Sequence, residues 1–305
     1  MMQMEKNIPN FLYNMLLEQY GEGITNNILE GYSKVRPTTL RINTLKTSGE
    51  KIKKELEQVG IEYEQVEWNN TALIIKNAVE DDIRKLDMYN NGEIYLQSLS
   101  SMMPAMFLNP KENENILDMT AAPGGKTTQI SAISNNKALI TATEKNKIRA
   151  DRLKYNIDKQ GAKRVNVLVE DARNLNDYFS FDKILLDAPC SGSGTININD
   201  KNLDKIFTEE LVKRAEKTQM ALLKKAISIL KPGHEMIYST CSILYNENEN
   251  NIQKILKNQN VELVPIIPEN FEKVPMLPVK IQGTIAICPT SLYEGFFVAK
   301  LRKNR

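Results

Sequence analysis

Two of the three cysteines in this chain directly follow segments that have the composition of buried strands. Cys190 lies in Asp187-Ala-Pro-Cys-Ser-Gly-Ser-Gly194, and Cys241 lies in Ser239-Thr-Cys-Ser242. Ligands of parallel sheets bind outside the carboxyl ends of the strands, so we expect both thiols at one binding edge. An isolated cysteine is usually a small buried hydrophobe, and Cys288 fits that description. Two thiols at one edge instead indicate nucleophilic chemistry.

A thiolate is the group that would activate a pyrimidine ring for methylation. Carbon 5 of cytosine is too electron-poor to attack a methylsulfonium, but addition of a thiolate to carbon 6 makes carbon 5 nucleophilic. A basic neighbour would raise the fraction of thiolate, and Lys126, in the loop that follows the first strand, is the nearest candidate. Asp187 could hydrogen-bond ring N3 and the exocyclic amine, which requires a proton on its carboxyl group at least transiently. These residues alone do not rank Cys190 and Cys241, and the second thiol could assist removal of the carbon 5 proton.

The loop Thr120-Ala-Ala-Pro-Gly-Gly-Lys-Thr127 follows the first strand of the same region. Its small residues let backbone N–H groups approach a ligand closely. A phosphate-binding P-loop requires glycine at position 120, where this chain has threonine. A dinucleotide fingerprint also fails, because no G-x-G-x-x-G follows the strand and Gly192-Ser-Gly194 lacks a third glycine.

S-adenosylmethionine fits this loop better, because it has no phosphate to bind. It needs an acidic residue after the second strand for its ribose hydroxyls and a polar residue after the third for adenine. Glu144 and Asp171 occupy those positions, although either one alone would pass for an ordinary helix cap. The predicted cofactor site therefore consists of Thr120, Ala121, Ala122, Pro123, Gly124, Gly125, Lys126, Glu144, Asp171 and Asp187.

The elements that would position these residues alternate between strand and helix from about residue 115 onward. Short apolar runs separated by amphipathic helices predict a doubly wound α/β domain with a parallel sheet. The predicted strands are Asn115–Met119, Ala138–Thr143, Val165–Val169, Lys183–Leu186, Met236–Ser239, Thr284–Ile287 and Phe296–Ala299. The predicted helices are Lys126–Ala132, Lys147–Lys159, Glu209–Leu230 and Glu247–Lys257. No helix separates the last two strands, so one of them could be antiparallel.

The first hundred residues predict a small α+β unit. Two short helices fit Ile8–Arg36, and the remaining elements are a strand at Thr39–Leu45, a helix at Ser48–Val59, and strands at Glu62–Trp68 and Thr71–Ile75. We place the boundary near Asn109, which gives domains at residues 1–109 and 110–305. Basic residues outnumber acidic ones in residues 34–60 and 144–164, which would suit a polyanion partner such as nucleic acid but is also typical of solvated helix faces. We expect Arg41 and Lys46 to contact RNA, and we expect removal of residues 1–100 to abolish RNA affinity but not cofactor binding.

The composition favours a cytosolic protein that binds neither membrane nor metal and is a monomer. The chain has 305 residues, of which 41% are hydrophobic, and a formal net charge of +2. No apolar stretch approaches the roughly 20 residues that span a bilayer, and the polar residues Met1–Asn10 lack the core of an export signal. Three cysteines in a chain of this length argue against a disulfide framework and for a reducing compartment.

Several blocks of this sequence resemble the signature motifs of the Sun/Nop family of RNA cytosine-5 methyltransferases. The resemblance covers about residues 8–302 and implies a Rossmann-like methyltransferase domain, a small RNA-contacting domain, S-adenosylmethionine as cofactor, and ribosomal or transfer RNA as substrate. It also implies that Cys241 is the nucleophile and that Cys190 assists release. The blocks are Leu40–Lys46, Tyr95–Met102, Asp118–Thr127, Asp187–Gly194, Ser239–Ser242 and Glu294–Lys300.

The chain departs from the family pattern at two positions. Thr120 stands where the family usually has cysteine, and the stretch Cys288–Tyr293, directly before Glu294, contains no histidine, whereas many members carry one there. We expect the only histidine, His234, to be structural. A rival interpretation is an RNA-binding protein on a methyltransferase scaffold that has lost its activity, but the intact acids and both thiols argue against it.

Overall fold

The computed structural model describes residues 8–305, and its N-terminal part contains a helix and a small antiparallel sheet. Helix α1 (Asn10–Tyr32) precedes the sheet, whose four strands are arranged in the order β2-β3-β1-β4. All of its strand pairs are antiparallel. The strands are β1 (Thr39–Ile42), β2 (Tyr63–Gln65), β3 (Ala72–Ile75) and β4 (Ile94–Leu96), and the helices between them are α2 (Gly49–Gln58), α3 (Glu80–Arg84) and α4 (Asp87–Asn90).

An eight-stranded sheet forms the centre of the molecule. Its order is β10-β12-β9-β8-β5-β6-β7, and β11 pairs with β12. The strands are β5 (Asn115–Asp118), β6 (Leu139–Thr143), β7 (Val165–Leu168), β8 (Phe181–Asp187), β9 (Leu230–Thr240), β10 (Val261–Val264), β11 (Ile285–Ile287) and β12 (Phe296–Lys303). The five strands from β5 to β9 are parallel, whereas β10, β11 and β12 join the sheet antiparallel. The strand order reverses at β5, which confirms the predicted doubly wound fold.

Helices cover both faces of this sheet, because neighbouring strand residues point to opposite sides. On β8, Leu185 belongs to the apolar cluster that contains Leu99 and Ile130, whereas Ile184 and Leu186 belong to the cluster on the opposite face. The helices of this region are α5 (Leu99–Leu108), α6 (Gly125–Ile133), α7 (Lys147–Gln160), α8 (Leu203–Ile206), α9 (Glu209–Ile229) and α10 (Glu249–Asn258). The binding edge is the one at which β5, β6, β8 and β9 end.

Helix α1 packs on the large sheet and not on the small one. Its residues Leu12, Leu16 and Ile28 are fully buried in the cluster that contains the α9 side chains. Gly21 has φ 74° and interrupts the helix, so the two predicted short helices correspond to its two segments. A Cβ on Gly31 would lie 1.9 Å from the carbonyl oxygen of Pro289, so only glycine permits this contact.

The structure adds elements that the sequence did not predict. Helix α5 packs against α6, β8 and β9, and the strands β4 and β10 were not expected. Both α1 and α5 therefore contribute to the large core, and the division into residues 1–109 and 110–305 stays a prediction about folding units. The predicted absence of an export signal concerns Met1–Asn10, of which residues 1–7 lie outside the described part. Within residues 8–305 no helix has both the length and the apolar character that a membrane span requires.

Candidate active site

The thiols of Cys190 and Cys241 contact each other at the binding edge of the large sheet. Strands β8 and β9 are adjacent and parallel, with Asp187 paired to Ser239, so the residues after them emerge side by side. The two Sγ atoms are 2.9 Å apart, and both cysteines are unpaired and partly exposed. The third cysteine, Cys288, is buried elsewhere, and burial raises its pKa to about 11, which leaves it unreactive at neutral pH.

Glycine contacts hold the two thiol loops together. The backbone N–H of Gly194, in the loop after β8, donates to the carbonyl oxygen of Cys241 at 2.9 Å. A Cβ on Gly194 would lie 2.0 Å from the carbonyl oxygen of Gly295, which precedes β12. The close approach of Gly194 to Gly295 requires glycine, and the hydrogen bond from Gly194 to Cys241 joins the loop of Cys190 to that of Cys241.

Cys190 keeps its proton in the neutral range. The hydrogen bond with Cys241 is the largest cause that raises the pKa of Cys190, followed by burial and by the charges of Cys241 and Glu247. A protonated Cys190 can donate a hydrogen bond to a thiolate at Cys241. The contact therefore places a hydrogen-bond donor beside the sulfur of Cys241.

Lys126 and Asp187 form an ion pair beside the thiols. Lys126 Nζ lies 2.7 Å from Asp187 Oδ2 and donates to Ser101 Oγ at 2.8 Å. Burial lowers the pKa of Lys126, but the charge and hydrogen bond of Asp187 outweigh burial and raise it overall. Ser239 Oγ donates to Asp187 Oδ1 at 2.7 Å, so both oxygens of this carboxylate are held. Lys126 is thus a cation close to Cys241, whose charge contributes to the same rise.

The predicted cofactor loop forms a tight turn from β5 into α6. The Ala122–Pro123 peptide bond is cis, and Gly124, the N-cap residue directly before α6, has φ 108°, a conformation that favours glycine. Thr120 Oγ1 donates to the carbonyl oxygen of Asp187 at 2.7 Å, which joins the loop to the end of β8.

Asp118, at the end of β5, anchors the end of this loop to the sheet. Burial is the main cause that raises the pKa of Asp118 to about 6, against the opposing hydrogen bond from Thr127. Thr127 Oγ1 donates to Asp118 Oδ2 at 2.7 Å, and this bond anchors the first turn of α6 to the strand.

The two predicted acidic positions differ in how much of their carboxylate is occupied. Glu144 is buried, accepts from the backbone N–H of Asn146 at 2.8 Å, and lies 3.3 Å from Arg149. Asp171 accepts three hydrogen bonds from Arg173, and these bonds lower its pKa to about 2. A carboxylate has about four acceptor sites, so Glu144 keeps free sites for a diol, whereas Asp171 has less capacity left.

Two cavities of about 250 Å³ each meet at this edge. They share Thr120, Ala122 and Asp187 in their walls. The first cavity is lined by Glu144, Asp171, Cys190 and Cys241, so the predicted cofactor acids and both thiols face the same space. The second cavity lies between the small sheet and the cofactor loop, and it is lined by Tyr95, Gln97, Ser98, Ser101 and Lys126.

The structure places the two predicted RNA contacts differently. Arg41 is 2% exposed and donates to Gln97 Oε1 at 3.0 Å and to Thr128 Oγ1 at 3.1 Å. It cannot reach a phosphate in this arrangement, so its assignment as an RNA contact is corrected to a buried link between β1 and α6. Lys46 is exposed, although its ammonium group donates to the carbonyl oxygens of Asn91 and Lys159.

One residue at the site escaped the sequence analysis. Glu247 is fully buried between the loops of the two thiols and accepts hydrogen bonds from both. The available signal was an acidic residue six positions after Cys241 in the polar run Asn246-Glu-Asn-Glu-Asn250. Such a run is usually a solvated helix start, and α10 begins only at Glu249. As expected, His234 lies outside the site, where its ring contacts the backbone of Asp182.

Known proteins match nearly the whole chain. Residues 105–302 match the family described as 16S rRNA methyltransferase RsmB/F, and residues 8–81 match the ferredoxin-like domain of RsmF/B-like methyltransferases. The chain is 37% identical over 278 residues to ribosomal RNA small subunit methyltransferase F of Aliivibrio salmonicida, which covers 87% of this chain and 58% of that protein. It is 35% identical over 309 residues to 25S rRNA (cytosine-C(5))-methyltransferase nop2 of Schizosaccharomyces pombe, which covers 96% of this chain and 50% of that protein.

A solved structure agrees over the same length. The structure of NSun6 from Pyrococcus horikoshii with SFG has a TM-score of 0.87 and 25% sequence identity, and the match covers 99% of this chain and 100% of that one. The curated relatives are longer than this chain, which spans 58% and 50% of the length of the two named above.

Proposed function

Because this chain belongs to the RsmB/F family of methyltransferases, we propose that it methylates carbon 5 of a cytosine in RNA through a covalent cysteine adduct. The observation that carries the proposal is the contact between Cys190 and Cys241 in the cavity that Glu144 and Asp171 also line. A family match gives the class of reaction, whereas a thiol in the cofactor cavity supplies the nucleophile of the adduct mechanism, and the second thiol beside it could assist release.

The first cavity has the donor set that S-adenosylmethionine needs. Glu144 has free acceptor sites for two ribose hydroxyls, and Asp171 adds an acceptor for the adenine amine. S-adenosylmethionine, when bound, supplies an electrophilic methyl group. The similarity to a structure that contains SFG, an analogue of this cofactor, supports the assignment. The loop Thr120–Lys126 would hold the methionine end.

In this proposal Cys241 is the nucleophile. The cation at Lys126 stabilises its thiolate, which adds to carbon 6 of the cytosine and makes carbon 5 nucleophilic. After methylation a base must take the carbon 5 proton so that the bond between carbon 6 and Cys241 breaks. Cys190 keeps its proton and is positioned to hydrogen-bond the departing sulfur, while water held beside it is our candidate base.

Asp187 and Lys126 would act on the ring of the substrate. Their ion pair lies where the two cavities meet, so either side chain can hydrogen-bond polar atoms of a bound base. A cytosine paired in a helix would have to be extruded into this space, at a cost of roughly a few kcal/mol.

The names of the relatives favour ribosomal RNA as the substrate, with transfer RNA as the alternative. Exposed basic residues such as Lys46 would bind phosphates around the target. The cytosolic location, the monomeric state and the absence of a metal stay predictions.

Incubation with RNA from a strain that lacks the gene, followed by bisulfite sequencing, tests the proposal. The chain should add 5-methylcytosine at a defined site when S-adenosylmethionine is present. RNA binding without methyl transfer would instead support the inactive-scaffold interpretation, and methyl transfer to another atom would refute the cytosine-5 assignment.

A further inference from the structure

The loops of the two thiols share one buried carboxylate. Glu247 lies between β9 and α10 and is 0% exposed. Ser191, directly after Cys190, donates to it through its backbone N–H at 2.7 Å and through its Oγ at 2.5 Å. Ser242, directly after Cys241, donates through its Oγ at 2.6 Å.

Further hydrogen bonds fix this carboxylate to α9. Gln219 Nε2 donates to Glu247 Oε1 at 3.2 Å and to the carbonyl oxygen of Pro189 at 3.0 Å. Within residues 8–305 no lysine, arginine or histidine forms an ion pair with Glu247. A buried charge costs several kcal/mol unless hydrogen bonds compensate it, so neutral donors from three elements must maintain this one.

We propose that Glu247 is a positioning residue that ties the loop of Cys190 to the loop of Cys241 and so holds the two thiols in contact. It reaches the residue next to each cysteine but neither sulfur, and it therefore acts through the loops. The importance of Glu247 for methyl transfer rests on the proposed function, whereas its effect on the placement of the thiols can be tested without RNA.

The same carboxylate also favours the protonation state that the mechanism requires. Its negative charge is one of the causes that raise the pKa of Cys190, after the hydrogen bond with Cys241 and burial. A second contact, between Ser193 Oγ and Ser242 Oγ at 2.8 Å, extends the network along both loops. Charge and geometry at Glu247 therefore serve the same pair of thiols.

Oxidation by diamide measures the contact between the thiols directly. Each diamide molecule takes one hydrogen from each thiol, the two sulfurs form a disulfide, and the azo bond becomes a hydrazine. All chains carry Cys288→Ser so that only Cys190 and Cys241 react, and mass spectrometry follows the loss of two hydrogens. Glu249→Gln is the matched control, because Glu249 is also buried but accepts from the backbone of Ile281 at 2.9 Å and not from either thiol loop.

Glu247→Ala should slow disulfide formation about tenfold or more, since it removes several bonds to a charged acceptor. Glu247→Gln should recover most of the rate, because the amide can bridge the same groups, and Glu249→Gln should match the unsubstituted chain. If Glu247→Ala does not fold, the double variant Ser191→Ala/Ser242→Ala, which removes both hydroxyl donors, must show the slow rate.

Three results would overturn the inference. The first is that the chain with both thiols and Glu247 intact forms no disulfide. The second is that Glu247→Ala or the double variant forms the disulfide as fast as that chain, and the third is that Glu249→Gln slows disulfide formation as much as Glu247→Ala does.

In single-turnover methylation Glu247→Ala should lose adduct formation while its affinity for S-adenosylmethionine is unchanged, and Glu247→Gln should restore the adduct. A chain that oxidises as expected but never methylates RNA would refute the proposed function and leave the positioning role of Glu247 intact.

Discussion

At the scale of single residues, Glu144 combines burial with unused hydrogen-bonding capacity. It lies at the end of β6, and the backbone N–H of Asn146 and the guanidinium of Arg149 occupy only part of its carboxylate. A buried acceptor of this kind is maintained when a ligand completes its hydrogen bonds. This makes Glu144 the most direct probe of the cofactor site.

Glu144→Ala should weaken the binding of S-adenosylmethionine by about 1.5–3 kcal/mol, the typical loss for hydrogen bonds to a charged group. Isothermal calorimetry on the folded variant measures the change. Asp151→Ala, which removes an exposed carboxylate from α7, should bind as the unsubstituted chain does. Unchanged affinity in Glu144→Ala would remove this residue from the cofactor site.

Residue types and positions in the sequence predicted most of the site, but not its contacts. The acids after β6 and β7 and the thiols after β8 and β9 were predicted because parallel strands present their carboxyl ends together. The occupation of Asp171 by Arg173 and the bridge at Glu247 depend on loop conformation, which has no periodic signature. Both could be seen only once the loops were placed.

At the scale of elements, Arg41 shows why the alternation of apolar and polar residues does not predict which side chains are exposed in a strand that is covered on both faces. All four residues of β1 are buried, because the small sheet packs on α2 with one face and on α6 with the other. Burial lowers the pKa of Arg41 to about 10, so it remains a cation at neutral pH, bonded to neutral acceptors. The basic side chain that the sequence assigned to RNA thus connects two elements of the protein.

Arg41→Ala should lower the free energy of unfolding by about 2–4 kcal/mol, because it leaves buried partners such as Gln97 and Thr128 unsatisfied. Urea unfolding measures this loss. Lys46→Ala, at an exposed position, should cost less than about 1 kcal/mol. An Arg41→Ala chain of full stability that shows a weaker salt dependence of RNA binding would restore Arg41 as a phosphate contact.

The element boundaries were predicted best where a strand is a short apolar run and a helix is amphipathic. Helix α7 was expected at Lys147–Lys159 and is observed at Lys147–Gln160. Helix α5 was missed because it contains Pro104 and is apolar on nearly all sides, so it lacks the amphipathic pattern. The strand β10 was missed because Val261–Val264 is short and its partner, β12, lies far away in the sequence.

At the scale of the whole molecule, the N-terminal segment is part of the large core. Apolar side chains of α1 pack with those of α9 and β9, and Tyr32 donates through its hydroxyl to the carbonyl oxygen of Ser193, near the thiols. The small sheet in turn contacts the cofactor loop, because Tyr95 packs against Gly125. We therefore expect that removal of residues 1–100 would also disturb the large core, and the RNA-binding role of these residues stays a prediction.

A chain that lacks residues 1–36 should fail to fold. The deletion removes the five buried apolar side chains of α1, each worth about 1.5–3 kcal/mol, and the sum approaches the total stability of a typical domain. These side chains are Leu12, Leu16, Ile28, Leu29 and Tyr32. Circular dichroism and dye binding would report the loss of the native state. A truncated chain that unfolds cooperatively and binds S-adenosylmethionine would show instead that the large sheet is stable alone.

The central claim is that Cys241 attacks the cytosine and Cys190 assists release, and denaturing gel electrophoresis with substrate RNA tests it most directly. Cys241→Ala cannot form the adduct, so it should show neither methylation nor a protein–RNA band. Cys190→Ala should still attack and transfer the methyl group but stall on its product, and it should therefore give a covalent band that the double variant lacks. A band from Cys241→Ala would exchange the two roles, and full activity of both variants without any band would contradict the adduct mechanism.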